Sequence, residues 1–320
     1  MAEFLVILLF IVGLILIIKG GDFFVDAASW IAEVSGIPKL IIGATIVSVA
    51  TTLPELLVSL MAAVRGKTDM AVGNAVGSVT ANIGLILAIA LLFMSGPINR
   101  KDYLIKSILM LSAAGIIACC GFFGEVNIIL SIVLLLIFVG FIIENVFSAT
   151  QSMKLEEEGD KQPVPKDKRT IITNIIKFIL GAVGIVWGAD LLVDNATEIA
   201  KWIGVSERII SVTIVAVGTS LPELVTTITA IVKKESSLSA GNIIGANIID
   251  LTLIMPLCAL VSGMALPIAS TGYVDLVSCL VVGSIALIPA LILKKFQKWQ
   301  GYALLGVYAV YLVITCFFLG

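Results

Sequence analysis

Apolar residues run along the chain in long blocks separated by short polar stretches. The blocks are too long for strands and have the length of membrane-crossing helices, for which about 20 apolar residues are needed. They cover 4–18, 40–64, 70–95, 104–121, 126–148, 171–193, 207–232, 237–262, 273–293 and 301–319. This pattern predicts an all-α integral membrane protein with ten transmembrane helices. The first block follows Glu3 without a basic segment before it or a small-residue cleavage site behind it, so it is expected to be a retained span and not a signal peptide.

Composition agrees with the pattern. Hydrophobic residues make up 59% and charged residues 13%, against roughly 25% charged in an average soluble domain. A water-soluble globular protein is excluded. The formal charge of −2 offers no basic surface to nucleic acid, and the absence of histidine removes HExxH zinc hydrolysis, Ser-His catalysis and histidine relays. The five cysteines, at 119, 120, 258, 279 and 316, lie in apolar runs without metal or redox spacing and read as small lipid- or core-facing residues.

Basic residues collect on cytoplasmic loops, so their distribution tests the span count. One face receives Lys19, Lys39, Arg100, Lys101, Lys106, Lys154, Lys161, Lys166, Lys168, Arg169, Lys177, Lys233, Lys234, Lys294, Lys295 and Lys298; the other receives Arg65, Lys67, Lys201 and Arg208. Sixteen against four puts both termini outside a multi-pass cell-membrane protein, with the 149–170 linker in the cytoplasm. The linker carries Glu156 to Glu158, Pro163 and Pro165 and reads as a solvated connector.

A constant shift of 168 residues superimposes 20–82 on 188–250 without a gap, with 24 of 63 positions identical. The identities include Asp22/Asp190, Asp26/Asp194, Pro54/Pro222, Glu55/Glu223 and Asn74/Asn242, so a duplication is the natural explanation. Five spans per half is an odd number. The second copy must therefore enter the membrane from the opposite side, giving two inverted five-helix repeats, 1–148 and 171–320, and pointing to a secondary transporter with its site near the midplane.

The polar residues inside the spans lie in duplicated motifs. Ala50 to Glu55 reads Ala-Thr-Thr-Leu-Pro-Glu, and Gly218 to Glu223 reads Gly-Thr-Ser-Leu-Pro-Glu. Proline lacks an amide hydrogen and clashes with the carbonyl four residues back, so kinks and released carbonyls are expected near Ala50 and Gly218. The four-residue spacing would put Thr51 with Glu55, and Thr219 with Glu223, on one helical face, with Ser48 and Ser59 extending the polar stripe. A carboxylate in hydrocarbon needs a partner, and no Lys or Arg is expected at that depth. Protons or a bound cation remain, and an all-oxygen set with two carboxylates suits a hard divalent ion such as Ca²⁺.

The second motif pair is Gly73-Asn74-Ala75-Val76-Gly77-Ser78 with Asn82, and Gly241-Asn242-Ile243-Ile244-Gly245-Ala246 with Asp250. Steps of four place 74, 78 and 82 on one face, and 242, 246 and 250 on its counterpart; the glycines allow close helix approach. Asp250 adds a third carboxylate opposite neutral Asn82. Asp22, Asp26, Asp190 and Asp194 are expected where helices meet water, as solvated or capping groups, and Trp30, Trp187, Trp202 and Trp299 near span ends as interface anchors.

These paired motifs resemble the two alpha repeats of the sodium/calcium exchanger superfamily of cation/Ca²⁺ antiporters, here at about 40–95 and 207–262, and especially its short prokaryotic members. The resemblance implies a Ca²⁺ site formed by Glu55, Glu223, Thr51 and Thr219. It implies flanking sodium sites that use Ser78, the Ser48 and Ala216 carbonyls and the same glutamates, with Asn82 and Asp250 at the central Asn/Asp positions. Thr52, Ser220, Asn74 and Asn242 take supporting places, and helices 1 and 6 are the moving pair. Ala50 and Thr52 replace the family's usual glycine and serine, and Ala246 stands where related exchangers often carry serine, which puts one sodium site in question.

The expected function is exchange of Ca²⁺ for Na⁺ by alternating access, with no cofactor, no enzymatic activity and the lipid bilayer and inorganic cations as partners. The pattern sets no oligomeric state and is compatible with a monomer. Ca²⁺/H⁺ antiport is the nearest alternative, since burial raises carboxylate pKa values; a potassium-dependent or other divalent exchanger is a third. A channel would need a continuous polar path, and an intramembrane carboxyl protease would need a Gly-x-Gly-Asp context that the chain lacks.

Overall fold

The computed structural model describes residues 2–157, 167–204, 218–263, 265–268 and 272–315. Its helices are α1 (Ala2–Ser35), α2 (Lys39–Thr51), α3 (Leu53–Val64), α4 (Met70–Phe93), α5 (Arg100–Phe123) and α6 (Ile128–Glu157), then α7 (Lys168–Trp202), α8 (Leu221–Val232), α9 (Ser236–Val261), α10 (Tyr273–Leu293) and α11 (Lys298–Ile314). Among the described residues seven helices are long and apolar enough to cross a membrane, or eight when α2 and α3 count as one span bent by 46°. The expected seventh span begins within 205–217 and the tenth runs into 316–320, both outside the described residues.

Two differences from the periodicity concern α1 and α7. Each continues well past its apolar block, through Asp22 and Asp26 in α1 and, beyond Asp190 near the end of the block, through Asp194 in α7. These aspartates lie within helices, and the first two are ion-paired, not merely solvated (see below). Helix propensity and i to i−4 bonding carry a helix beyond the point where its apolar stretch ends. At the start of α7 the Asp167 side chain accepts from the Thr170 amide at 3.1 Å and from its hydroxyl at 2.6 Å, an N-cap.

The described residues cluster into two compact units, 1–51 with 145–242, and 52–144 with 243–320. In the first, α1 and α7 run antiparallel with almost no side chain between them. A Cβ on Gly13 would stand 3.0 Å from the Gly188 carbonyl, and one on Gly20 would stand 2.9 Å from that of Gly181. Only glycine permits this approach. The pairing is reciprocal, because Gly181 and Gly188 are the counterparts of Gly13 and Gly20 under the 168-residue shift. Phe24, Val25, Ile42, Val47, Ile185 and Leu238 form the core of the unit. The end of α8 is tied to α1: Lys233 Nζ lies 2.6 Å from Asp26 Oδ1 and 3.4 Å from Asp22 Oδ1.

Both α3 and α8 end in the same reversed turn. Gly66 and its counterpart Lys234 have φ of 71° and 62°, and the following amides, of Lys67 and Glu235, donate to Ala62 and Ala230 carbonyls. Glycine takes this conformation freely and lysine does not. Lys234→Gly is therefore expected to stabilise the protein by about 0.5–1 kcal/mol, read as a higher midpoint of thermal unfolding in detergent. A lowered midpoint would show that the lysine side chain matters more than its backbone strain.

In the second unit α5 and α10 run antiparallel, with Gly121 against Tyr273 and Leu276 and Gly283 against Met110 and Leu111. Two short antiparallel ribbons, absent from the sequence expectation, join β1 (Gly96–Pro97) to β4 (Lys295–Phe296) and β2 (Glu125–Asn127) to β3 (Ala265–Pro267). Pro289 stands inside α10 and leaves the Ile285 carbonyl, four residues back, without its usual donor. Buried Gln300 of α11 supplies the replacement: its Nε2 donates to the Ile285 and Ala286 carbonyls at 3.0 and 2.8 Å. Lys106, expected on a solvated face, is instead 1% exposed and pairs with Glu144 at 2.6 Å. Its position one turn and a half into α5 allows a partner on α6 to bury it.

Candidate functional site

The two units hold different parts of the expected ion site. In the first, α2 ends at Thr51 after a π-helical stretch over Gly43–Val47, and Thr52 leaves helical geometry with φ −85° and ψ 0° before α3 opens with Pro54 in its first turn. Ser220 repeats this ahead of α8 and Pro222, with φ −89° and ψ 7°. The kink expected from proline is thus a full break in the helix. Thr51 closes one helix and Glu55 lies in the first turn of the next, so the two do not share one continuous helical face as the spacing suggested. Thr219 stands in the corresponding turn. Proline tolerates the first turn of a helix because the amide it lacks has no partner there, which makes a new start cheaper than a bent continuation.

Around the break in this unit the polar groups are hydroxyls, carbonyls and an amide, with one carboxylate, Glu223, beside Thr51. Ser48 and Thr51 are buried, and the Thr51 hydroxyl lies 3.3 Å from the Ser48 carbonyl and 3.2 Å from Asn242 Oδ1. Glu223 is fully buried; Thr51 is the polar side chain beside its carboxylate, short of a hydrogen bond of regular geometry. Ser220 is buried and Thr219 half-buried. Asn242 sits where Gly241 brings α9 against the Leu40 carbonyl and the Ala44 amide, the close approach read from the glycine spacing. Ala216 lies outside the described residues, as do the partners that the repeat would give Gly73, at about 208–212.

In the second unit Glu55, Ser78, Asn82 and Asp250 are all buried, as is Thr52. Half-buried Asn74 of α4 spans to α3: its Nδ2 donates to the Glu55 carbonyl at 3.2 Å and to Ser59 Oγ at 2.9 Å. That bond holds the first turn of α3, and with it the start of the helix that carries Glu55. Asn82 and Asp250, counterparts in the repeat, each open a π-helical stretch, Asn82–Leu87 in α4 and Asp250–Ile254 in α9. Such widened turns recur at functional sites because they expose backbone carbonyls and re-aim side chains. Ala246 is buried one turn before Asp250.

Several buried polar residues are not singled out by the sequence, and one of them touches the central Asn82. Asn247 of α9 accepts from Asn82 Nδ2 at 3.2 Å through its own Oδ1. Its signal was available as an amide in an apolar run, three residues before Asp250, but its counterpart is Val79, so the comparison of halves did not raise it. Among the described residues no three acidic or cysteine side chains gather into one cluster.

Buried single carboxylates on broken, otherwise apolar membrane-length helices define a multi-pass membrane protein that handles inorganic cations. Comparison makes this specific. The sequence profile described as sodium/calcium exchanger protein matches residues 5–147 and 173–317, one copy in each half. The chain belongs to the sodium/calcium exchanger family and is a membrane antiporter. It is 35% identical over 265 residues, 79% of each chain, to inner membrane protein YrbG of Escherichia coli. It is 29% identical over 351 aligned positions, 98% of each chain, to sodium/calcium exchanger MaX1 of Methanosarcina acetivorans. Its fold matches the sodium-calcium exchanger NCX_Mj, in a crystal soaked with Na⁺ and Sr²⁺, with a TM-score of 0.81 at 28% identity, covering 96% of this chain and 98% of the other.

Proposed function

We propose that the protein exchanges Ca²⁺ for Na⁺ by alternating access between two inverted five-helix halves, 1–148 and 171–320, joined by the 149–170 linker. Ca²⁺ is held by Glu55, Glu223, Thr51 and Thr219. Sodium takes places that use Ser48, Ser78, Ala216, Asn82 and Asp250 and competes for the same glutamates, while Thr52, Ser220, Asn74 and Asn242 support them. The observation that carries this reading is Glu223: a fully buried carboxylate with threonine oxygen as its polar neighbour is stable when a cation or a proton neutralises it. The reciprocal antiparallel glycines of α1 and α7 support the inverted arrangement. The similarity to MaX1 and NCX_Mj, both sodium/calcium exchangers, favours sodium as the counter-ion.

The test is ⁴⁵Ca²⁺ uptake into liposomes holding the purified protein, under imposed Na⁺, K⁺ or pH gradients. Sodium should drive uptake; proton-driven uptake with sodium inert would replace this reading by Ca²⁺/H⁺ antiport, and a potassium requirement by a potassium-dependent exchanger. Ala246 sharpens the test, because a dehydrated sodium ion needs about five or six oxygens and a methyl supplies none. Ala246→Ser should raise apparent sodium affinity or the steepness of sodium dependence, and Ser78→Ala should lower it, both with smaller effects on Ca²⁺. Identical sodium curves in both variants would remove these positions from the sodium sites.

Orientation follows from the basic-residue asymmetry, with both termini outside. A reporter cysteine at Pro163 is expected to react only with reagent that reaches the cytoplasm, and one at Gly320 only from outside. Reaction of both from the same side would defeat the five-plus-five arrangement.

A further inference from the structure

Asn247 lies beside the central Asn/Asp pair and has no polar counterpart in the other half. It is fully buried on α9, three residues before Asp250, and Val79 holds its place on α4. Its Oδ1 accepts from Asn82 Nδ2 at 3.2 Å. Asn82 is equally buried, and among the described residues its own Oδ1 has no partner; neither has Asn247 Nδ2. A primary amide presents an acceptor at one end and two donors at the other, and a half-turn about its terminal torsion exchanges them. In the structure the Asn82 nitrogen is the end that faces Asn247 Oδ1. The oxygen is then left as a buried acceptor without a donor among the described residues, at the residue that opens the π-helical stretch of α4.

We propose that Asn247 is a positioning residue for the central sodium site. Its carboxamide oxygen holds the Asn82 nitrogen away from the ion, so that Asn82 Oδ1 is the end that sodium meets. Without that acceptor the Asn82 amide turns freely, and half of its orientations present N–H donors, which repel a cation. The repeat explains why the bond occurs once: Asp250 has two equivalent oxygens and needs no such selection, and its helix instead supplies the residue that orients its neutral counterpart. The proposal rests on the reading of Asn82 as a sodium ligand.

The experiment uses the full chain in liposomes and measures ⁴⁵Ca²⁺ efflux against external Na⁺. The variants are Asn247→Val, which installs the residue that the counterpart position carries, Asn247→Leu, an apolar residue of similar size, Asn82→Ala, and the double variant Asn82→Ala/Asn247→Val. Asn247→Val should raise the sodium half-saturation about twofold, because only half of the Asn82 orientations are then competent, and leave the Ca²⁺ half-saturation unchanged. Asn82→Ala should shift the sodium curve at least as far. The double variant should be no worse than Asn82→Ala, because Asn247 acts only through the amide already removed.

A wild-type sodium curve in Asn247→Val or Asn247→Leu, beside an impaired Asn82→Ala, overturns the positioning role and leaves the site reading standing. So does a double variant whose defects multiply. If Asn82→Ala itself matches wild type, the site reading fails and this inference fails with it. Loss of monodisperse protein in both apolar variants, with Asn82→Ala intact, also overturns the proposal, since Asn247 would then serve packing.

Discussion

Glu55→Gln or Glu223→Gln is expected to abolish Ca²⁺ exchange while the protein still folds. Glutamine keeps the shape and one carbonyl ligand but removes a unit of negative charge from a site where a divalent ion has shed its water. Calcium sites are tuned over several orders of magnitude by their count of charged ligands, so a loss of about a hundredfold or more in exchange is expected from either change. Folding should survive, because both carboxylates are buried and the neutral amide is cheaper to bury than the charge it replaces. The measurement is sodium-driven ⁴⁵Ca²⁺ flux in liposomes together with the thermal midpoint in detergent. A variant that exchanges Ca²⁺ at the wild-type rate and affinity would take its glutamate out of the site. A variant that is inactive because it does not fold would be recognised by its midpoint.

The second large effect concerns stability, far from those motifs in the sequence. Lys106 is 1% exposed and Glu144 10%, with their charged atoms 2.6 Å apart between α5 and α6. Glu144→Gln takes the hydrogen-bonded carboxylate from a buried ammonium and leaves it only its charge interaction with Asp102, one turn back on α5, which costs up to about 3–5 kcal/mol. The double variant Lys106→Met/Glu144→Leu removes both charges and should regain most of that loss, since apolar side chains of similar volume avoid desolvating either ion. Thermal unfolding in detergent decides between the outcomes. A single variant as stable as wild type would mean that water reaches Lys106. A double variant as damaged as the single would mean that packing, not charge, dominates the pair.

Much of this protein was legible from residue order alone, for a physical reason. Hydrocarbon admits few polar groups, so Thr51, Glu55, Ser78, Asn82, Thr219, Glu223 and Asp250 stand out against apolar neighbours, and the duplication repeats the signal at a fixed spacing. The all-helical class, the family and the burial of the polar motif residues other than half-buried Asn74 and Thr219 could be read this way. The position of the break at Thr52 was only approximately visible, because proline announces a disturbed helix without saying whether it bends or starts again. The π-helical turns at Asn82 and Asp250 left no local mark, since one extra residue in a turn is stabilised by what packs around it. The remaining features depend on partners distant in the chain: Lys106 with Glu144, Gln300 on the carbonyls of Ile285 and Ala286, Lys233 with Asp22 and Asp26, and Asn247 with Asn82. Periodicity shows which face of a helix is apolar. Whether a polar group on that helix is paid for by water, by an ion or by another side chain is decided only when a second helix is set against it, and there the tertiary structure alone supplies the answer.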